Sequence, residues 1–165
     1  MIRVVEGDLA RQAVDAVLRP ADATLAPIGS AAGHLDDLGG PGFASQRRTA
    51  TPLEAGAAVV TGGGDLAAGY VVHVVVADHR GPADRERVRR ALVSAWQRAG
   101  DWGLSRLATA VTGLAGGRVS VEAAVGLLVE TLPGPTAGPG SVELTIVVQA
   151  AAERDLVEAI VRRKT

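Results

Sequence analysis

A glycine-rich turn, residues 112–117, has the residue types best suited to binding chemistry. It follows a predicted buried strand, residues 105–111, and precedes a predicted apolar-faced helix, residues 121–132. Glycines let backbone N–H groups approach an anion, and the N-terminus of the following helix adds a favourable dipole. The turn is therefore a candidate phosphate cradle, although glycine-containing strand–turn–helix units are also ordinary in α/β folds.

Two other stretches are candidates of a simpler kind. Asp8 follows Gly7 at the end of the first predicted strand, where a carboxylate serves equally well as a ligand group or as a helix N-cap. The three glycines at residues 62–64 predict a tight turn that requires positive φ.

Several common chemistries lack the residues that they require. A P-loop needs a lysine after its glycines, and the single lysine is Lys164. The dinucleotide-binding G-x-G-x-x-G pattern does not follow the first strand, and the G-x-S-x-G pattern of hydrolases is absent. The chain has no cysteine and its three histidines have no paired spacing, so we expect no metal and no cofactor. His73 is predicted to be a hydrogen-bonded core histidine, and Asp36 and Asp37 to lie on a solvated helix face.

Composition sets the class of protein and its expected partners. With 165 residues and 47% apolar side chains, the chain suits one domain spanning residues 1–165. A net charge of −1 and 2% aromatic residues predict neither a nucleic-acid nor a membrane partner. The N-terminus begins a strand pattern rather than a signal peptide, so a cytoplasmic protein is expected.

The elements that must hold these residues alternate between strand and helix. Several strands are continuously apolar, which is typical of a sheet covered on both faces. We therefore predict an α/β fold: a three-layer α/β/α sandwich around a mixed, mostly parallel sheet. The predicted strands cover residues 2–5, 15–18 (ended by Pro20), 57–61, 70–77, 105–111 and 142–148, and the predicted helices cover 32–38, 43–50, 82–100, 121–132 and 153–163.

Five stretches, taken in chain order, resemble a known family, the macrodomains that bind ADP-ribose. Residues 4–9 read V-V-E-G-D-L and residues 14–18 read V-D-A-V-L, similar to the opening of that family. Three more match in order: G-A-A-V-V-T-G-G-G-D-L at 56–66, Y-V-V-H at 70–73 and T-G-L-A-G at 112–116. The resemblance spans nearly the whole chain and implies the same three-layer fold.

The resemblance also implies roles for individual residues. Asp8 would accept a hydrogen bond from the adenine amino group, with the Leu9 backbone N–H beside it. The backbone N–H groups of residues 113–116 would hold the diphosphate. The loop after the second strand would face the diphosphate from the opposite side. The implied ligand-binding residues are Asp8, Leu9, Asp22, Gly29, Ser30, Thr112, Gly113, Leu114, Ala115 and Gly116.

The chain departs from the family at the positions used for hydrolysis. Where the family reads N-A-A-N, residues 19–22 read R-P-A-D, so Asp22 takes the second asparagine position. Ala32 takes the catalytic aspartate position, Ala115 replaces an aromatic over the distal ribose, and Gln149 follows the last strand without an aromatic. Arg19 has two predicted roles, pairing with a phosphate or pairing with Asp22.

We therefore predict a binding module for ADP-ribose or a related adenosine phosphate, with no catalytic residue and no hydrolase activity. The alternative is a macrodomain-fold protein that has lost the ligand site and acts as a structural or interaction module, for which a homodimer is the expected assembly. A third interpretation is an enzyme that uses a different base, such as Asp22 or His34.

Overall fold

Strands alternate with helices along most of the chain, as predicted, except that four strands follow one another between the first two α-helices. The computed structural model describes residues 1–114, 120–134 and 141–165. None of the helices within those ranges is long and apolar enough to cross a membrane. The strands are β1 (Ile2–Glu6), β2 (Ala16–Ala21), β3 (Ala58–Gly62), β4 (Tyr70–Val75), β5 (Ala77–Asp78), β6 (Gly81–Pro82), β7 (Arg106–Thr109) and β8 (Glu143–Val148), and the helices are α1 (Ser30–Gln46), α2 (Arg85–Asp101), α3 (Val121–Thr131) and α4 (Ala151–Lys164).

The central sheet has six strands in the order β1-β8-β7-β2-β4-β3. All neighbouring pairs are parallel except β3 with β4, so five strands end at the same edge. Helices α2, α3 and α4 pack their apolar faces on one side, and α1 with a short 3₁₀ turn (Leu9–Arg11) packs on the other. The predicted three-layer α/β/α sandwich with a mixed, mostly parallel sheet is confirmed.

Two predicted boundaries were wrong. The second strand was expected to end before Pro20, but β2 continues to Ala21; β7 pairs only with Ala16 and Val17, so the missing N–H of Pro20 removes no bond to β7. The helix predicted over residues 82–100 begins only at Arg85, because Gly81 and Pro82 form β6. The predicted break between helices 32–38 and 43–50 is confirmed: inside α1, Gly40 has a non-helical φ of 77° just before Pro41, and two helical segments meet there at a kink.

A buried polar cluster joins β2 to α1. Arg19 in β2 is fully buried, and its guanidinium binds both carboxylate oxygens of Asp36 at 2.7 and 2.8 Å. Arg47 also reaches Asp36, at 3.2 Å, and lies over the Phe43 ring with 5.0 Å to its centroid. The predicted solvated face was therefore wrong for Asp36, whose side chain is 12% exposed, since it is the counter-ion of a buried arginine. Asp37 is exposed as predicted.

His73 completes this cluster from β4 and is confirmed as a hydrogen-bonded core histidine. Arg19 has no acceptor atom, so its Nη1, 3.1 Å from His73 Nδ1, must donate to that nitrogen. The ring proton is then on Nε2, which donates to Thr61 Oγ1 at 2.8 Å. Burial, followed by the charges of Arg19 and Arg47, lowers the pKa of His73 to about 3, so the imidazole is neutral.

Removal of the Asp36 carboxylate should strongly destabilise the chain. Asp36→Ala leaves the guanidinium of Arg19 buried without a counter-ion, which typically costs about 3–5 kcal/mol of unfolding free energy. Urea denaturation at neutral pH measures this loss. The matched control is the exposed neighbour Asp37→Ala, for which a change within about 0.5 kcal/mol is expected; equal values for the two variants would contradict the buried pairing.

The neutral His73 should also make stability depend on pH. A histidine whose pKa is depressed by folding binds a proton more readily when unfolded, so stability falls as pH drops below the unfolded imidazole pKa. The unfolding free energy should be about 2 kcal/mol lower at pH ~5 than at pH ~7.5, a window that lies above the ordinary carboxyl pKa values. In urea denaturation, the His73→Gln variant should not show this difference in unfolding free energy between the two pH values, whereas the surface variant His79→Gln should still show it.

Candidate functional site

A cleft of about 670 Å³ lies at the edge where the parallel strands end. This is the edge at which open α/β sheets bind ligands. The start of α1 and the first turn of α4 form its sides. Its lining residues are Gly7, Asp8, Leu9, Ser30, Ala31, His34, Ala110, Val111, Thr112, Val147, Val148, Gln149 and Glu153.

Asp8 lies at one end of the cleft with both carboxylate oxygens engaged. Oδ1 accepts the N–H of Ala10 at 2.9 Å, which makes Asp8 the N-cap of the 3₁₀ turn. Oδ2 lies 3.0 Å from His34 Nε2 and 3.4 Å from Arg11 Nε. The His34 hydrogen bond is the main influence that lowers the pKa of Asp8, and the Ala10 N–H assists it against partial burial. Asp8 therefore both caps the turn and presents an anionic acceptor to the cleft.

The N-terminus of α1 also borders the cleft. Gly29 is its N-cap, with φ 89° and no side-chain capping bond. The first N–H groups of a helix have no partner inside it and carry the positive end of the helix dipole. Because Ser30 and Ala31 line the cleft, this part of the cleft favours an anion.

The loop before α1 touches the loop after β7. Gly113 has φ 85°, and a Cβ built on it would collide with the carbonyl oxygen of Ile28. A Cβ placed on Gly29 would lie 3.1 Å from the Cα of Gly113, so the two glycine backbones are in close contact. Neither glycine lines the cleft, whereas their chain neighbours Ser30 and Thr112 do.

The predicted site residues are distributed unevenly around this geometry. Four of them, Asp8, Leu9, Ser30 and Thr112, line the cleft, while Gly29 and Gly113 form the contact between the two loops and Leu114 is buried in the core. Ala115 and Gly116 lie outside the described residues.

Asp22 and Arg19 face away from the cleft. Asp22 Oδ1 accepts bonds from the Thr24 and Ala26 N–H groups, at 2.8 and 3.0 Å, and so caps its own loop. The two roles predicted for Arg19 were wrong, because the side chain points under α1 and pairs with Asp36 instead.

Three polar residues that line the cleft were not predicted to bind the ligand: Gln149, Glu153 and His34, the last of which was considered only as an alternative base. His34 lies four residues after Ser30 on α1, a spacing that places both on one helix face. Glu153 accepts the N–H of Gln149 at 3.1 Å and caps the start of α4. The four-residue spacing from Gln149 to Glu153 was visible in the sequence, but nothing local indicated that this helix end borders the cleft.

Neither a general base at the family's catalytic position nor a metal site is found among the described residues of the site. Ala32, at the family's catalytic aspartate position, is 1% exposed and has no group that can accept a proton. Within the described ranges, no three His, Asp or Glu side chains are grouped so that they could hold a metal ion. The cleft therefore offers the carboxylates of Asp8 and Glu153, the first turns of α1 and α4, and the imidazole of His34.

Comparisons with known proteins match this architecture. A family model described as Macro domain matches residues 19–127. A Mycobacterium bovis protein described as uncharacterized is 28% identical to this chain over 161 residues. The matched region covers 96% of this chain and 44% of the M. bovis protein. The chain thus spans less than half of that relative.

Solved structures share the fold at low identity. An Oceanobacillus iheyensis macrodomain mutant with ADPR has a TM-score of 0.78 at 15% identity, covering 99% of this chain and 90% of the other. The Trypanosoma brucei macrodomain in complex with ADP has a TM-score of 0.78 at 19% identity, covering 97% of this chain and 68% of the other.

Proposed function

This chain belongs to the macro domain family, and we propose that its cleft binds the adenosine diphosphate part of ADP-ribose or of a related nucleotide without hydrolysing it. The observation that carries the proposal is the pairing, in one cleft, of the Asp8 carboxylate with the open N-terminus of α1. Neighbours of the same fold that are described with ADPR and with ADP support this ligand class.

Asp8 is assigned to the base. A carboxylate accepts hydrogen bonds only, which suits the exocyclic amino group of adenine, and the backbone N–H of Leu9 beside it suits a ring nitrogen. Asp8 is held in place by the Ala10 N–H, so its orientation exists before a ligand arrives. That preorganisation reduces the entropy cost of binding.

The start of α1 is assigned to the diphosphate. The backbone N–H groups at Ser30 and Ala31 and the Thr112 hydroxyl supply donors at the anion-favouring part of the cleft. The contact between Gly29 and Gly113 holds the two loops that carry these donors against each other.

Absence of hydrolysis follows from the residues at the family's catalytic positions. Ala32 cannot act as a general base, and Asp22 is committed to the N–H groups of its own loop. Of the other bases considered, His34 lies at the Asp8 end of the cleft, away from the linkage that hydrolysing macrodomains cleave at the distal sugar.

A structural or interaction module is the alternative function. The observation that favours it is the hydrogen bond from His34 to Asp8, which engages the carboxylate assigned to the base within the protein itself. The ligand titration below separates the two functions.

Titration calorimetry should detect ADP and ADP-ribose with affinities within about threefold of each other, because the distal ribose adds little net binding energy.

Asp8→Asn keeps an oxygen for the Ala10 N–H but presents an amide N–H to the base. It should weaken both ligands roughly ten- to a hundredfold, since hydrogen bonds to charged groups contribute about 1.5–3 kcal/mol. Asp37→Asn, on the same side of the molecule but outside the cleft lining, should bind as the parent does. No heat with either ligand at millimolar concentration would favour the alternative function.

Incubation with ADP-ribosylated protein should release no ADP-ribose above the buffer control, because the chain lacks a placed general base. Product is measured by chromatography over several hours. Release that is lost in Asp22→Asn or His34→Gln would contradict the proposal and identify the base.

A further inference from the structure

His34 reaches across the cleft to the same carboxylate that is assigned to the base. Its Nε2 lies 3.0 Å from Asp8 Oδ2, and its side chain is 48% exposed on the cleft wall. The other oxygen, Oδ1, is taken by the N–H of Ala10 at 2.9 Å. An amino group that binds Asp8 must therefore share the carboxylate with His34.

We propose that His34 is a positioning residue that sets the base selectivity of the cleft, by sharing Asp8 Oδ2 with the exocyclic amino group of the bound base. The inference rests on the proposed function and adds to it the residue that controls the contact with the base. While the imidazole is neutral, the cleft prefers an amino-bearing base; when it is protonated, that preference is lost.

The physical reason lies in the acceptor capacity of one carboxylate. An ionised carboxylate has about four lone-pair directions, of which Ala10 and His34 use two. A neutral imidazole donates one N–H and leaves Asp8 its full negative charge. A protonated imidazole forms an ion pair with a charge-assisted hydrogen bond, roughly twice as strong as a neutral one, and weakens the same oxygen as an acceptor.

Other charges near the pair do not reproduce this effect. Arg11, from the 3₁₀ turn, lies 3.4 Å from Asp8 Oδ2, but its guanidinium stays protonated at every pH at which the protein is folded. Glu153, from α4, lines the same cleft and accepts the N–H of Gln149. Arg11→Ala and Glu153→Gln are therefore the two controls for neighbouring charge.

The experiment must separate the effect of His34 on base recognition from its effect on the phosphates, because a protonated His34 also attracts a diphosphate. ADP-ribose and its hypoxanthine analogue carry the same diphosphate and sugars and differ at the base, where a carbonyl replaces the amino group. The ratio of their dissociation constants isolates the contribution of the amino group. An imidazole ordinarily titrates near pH ~6.5, so the ratio is measured by calorimetry at pH ~7.5 and pH ~5.5.

In the parent chain, ADP-ribose should bind roughly tenfold more tightly than the analogue at the higher pH and within about threefold of it at the lower pH. In His34→Gln the ratio should stay near its high value at both pH values, since the amide donates one N–H and does not titrate. Arg11→Ala and Glu153→Gln should keep the pH dependence of the parent.

Two results would overturn the inference, and they are distinguishable. Binding of both ligands with a ratio that is independent of pH, or a pH dependence that persists in His34→Gln, overturns the role of His34 and leaves the proposed function intact. Binding of neither ligand at either pH overturns the proposed function together with the inference. As a readout without ligand, carbon NMR of the Asp8 carboxyl should show its pKa rising in His34→Ala; an unchanged value would also overturn the pairing.

Discussion

The buried guanidinium of Arg19 is the constraint on which the rest of the site depends. Arginine cannot lose its proton inside a protein, so a fully buried arginine in the middle of β2 requires a carboxylate close by. Helix α1 supplies Asp36 with both oxygens in hydrogen-bond range. That pairing fixes how α1 is rotated on the sheet, and the same rotation turns Ser30 and His34 toward the cleft.

This coupling separates the residues that hold the structure from those that face the ligand. Along α1, Asp36 points to the sheet and meets a cluster that includes Arg47 and the neutral His73. His34, two residues earlier, points to the strand ends and meets Asp8. Because adjacent helical positions diverge by about 100°, one helix can serve both purposes only if its register on β2 is exact to one residue.

Local patterns in the sequence were enough to predict the fold. The apolar strand runs and the break between the predicted helices 32–38 and 43–50 depend on neighbouring residues, and both are found as predicted. The pairing of Arg19 with Asp36 was missed because it depends on which face of α1 meets β2, which no local pattern records. The end of β2 was mispredicted for a related reason. A proline ends a strand only where a neighbouring strand needs its N–H, and β7 does not pair with Pro20. In the cleft, Asp8 and Thr112 were candidates from their residue types and Ser30 from the family resemblance. His34 was considered only as a base and Glu153 was missed, because both meet the cleft only in three dimensions.

The loop contact and the Asp8–His34 pair differ in how easily each can be rearranged. Gly29 and Gly113 both have positive φ, a backbone conformation that other residues rarely adopt. A Cβ on Gly113 would collide with the carbonyl oxygen of Ile28, and a Cβ on Gly29 would crowd the Cα of Gly113. Separating these loops requires moving two backbones, whereas releasing Asp8 from His34 requires moving one side chain. The proposed site is therefore more easily remodelled at Asp8 than at the loop contact.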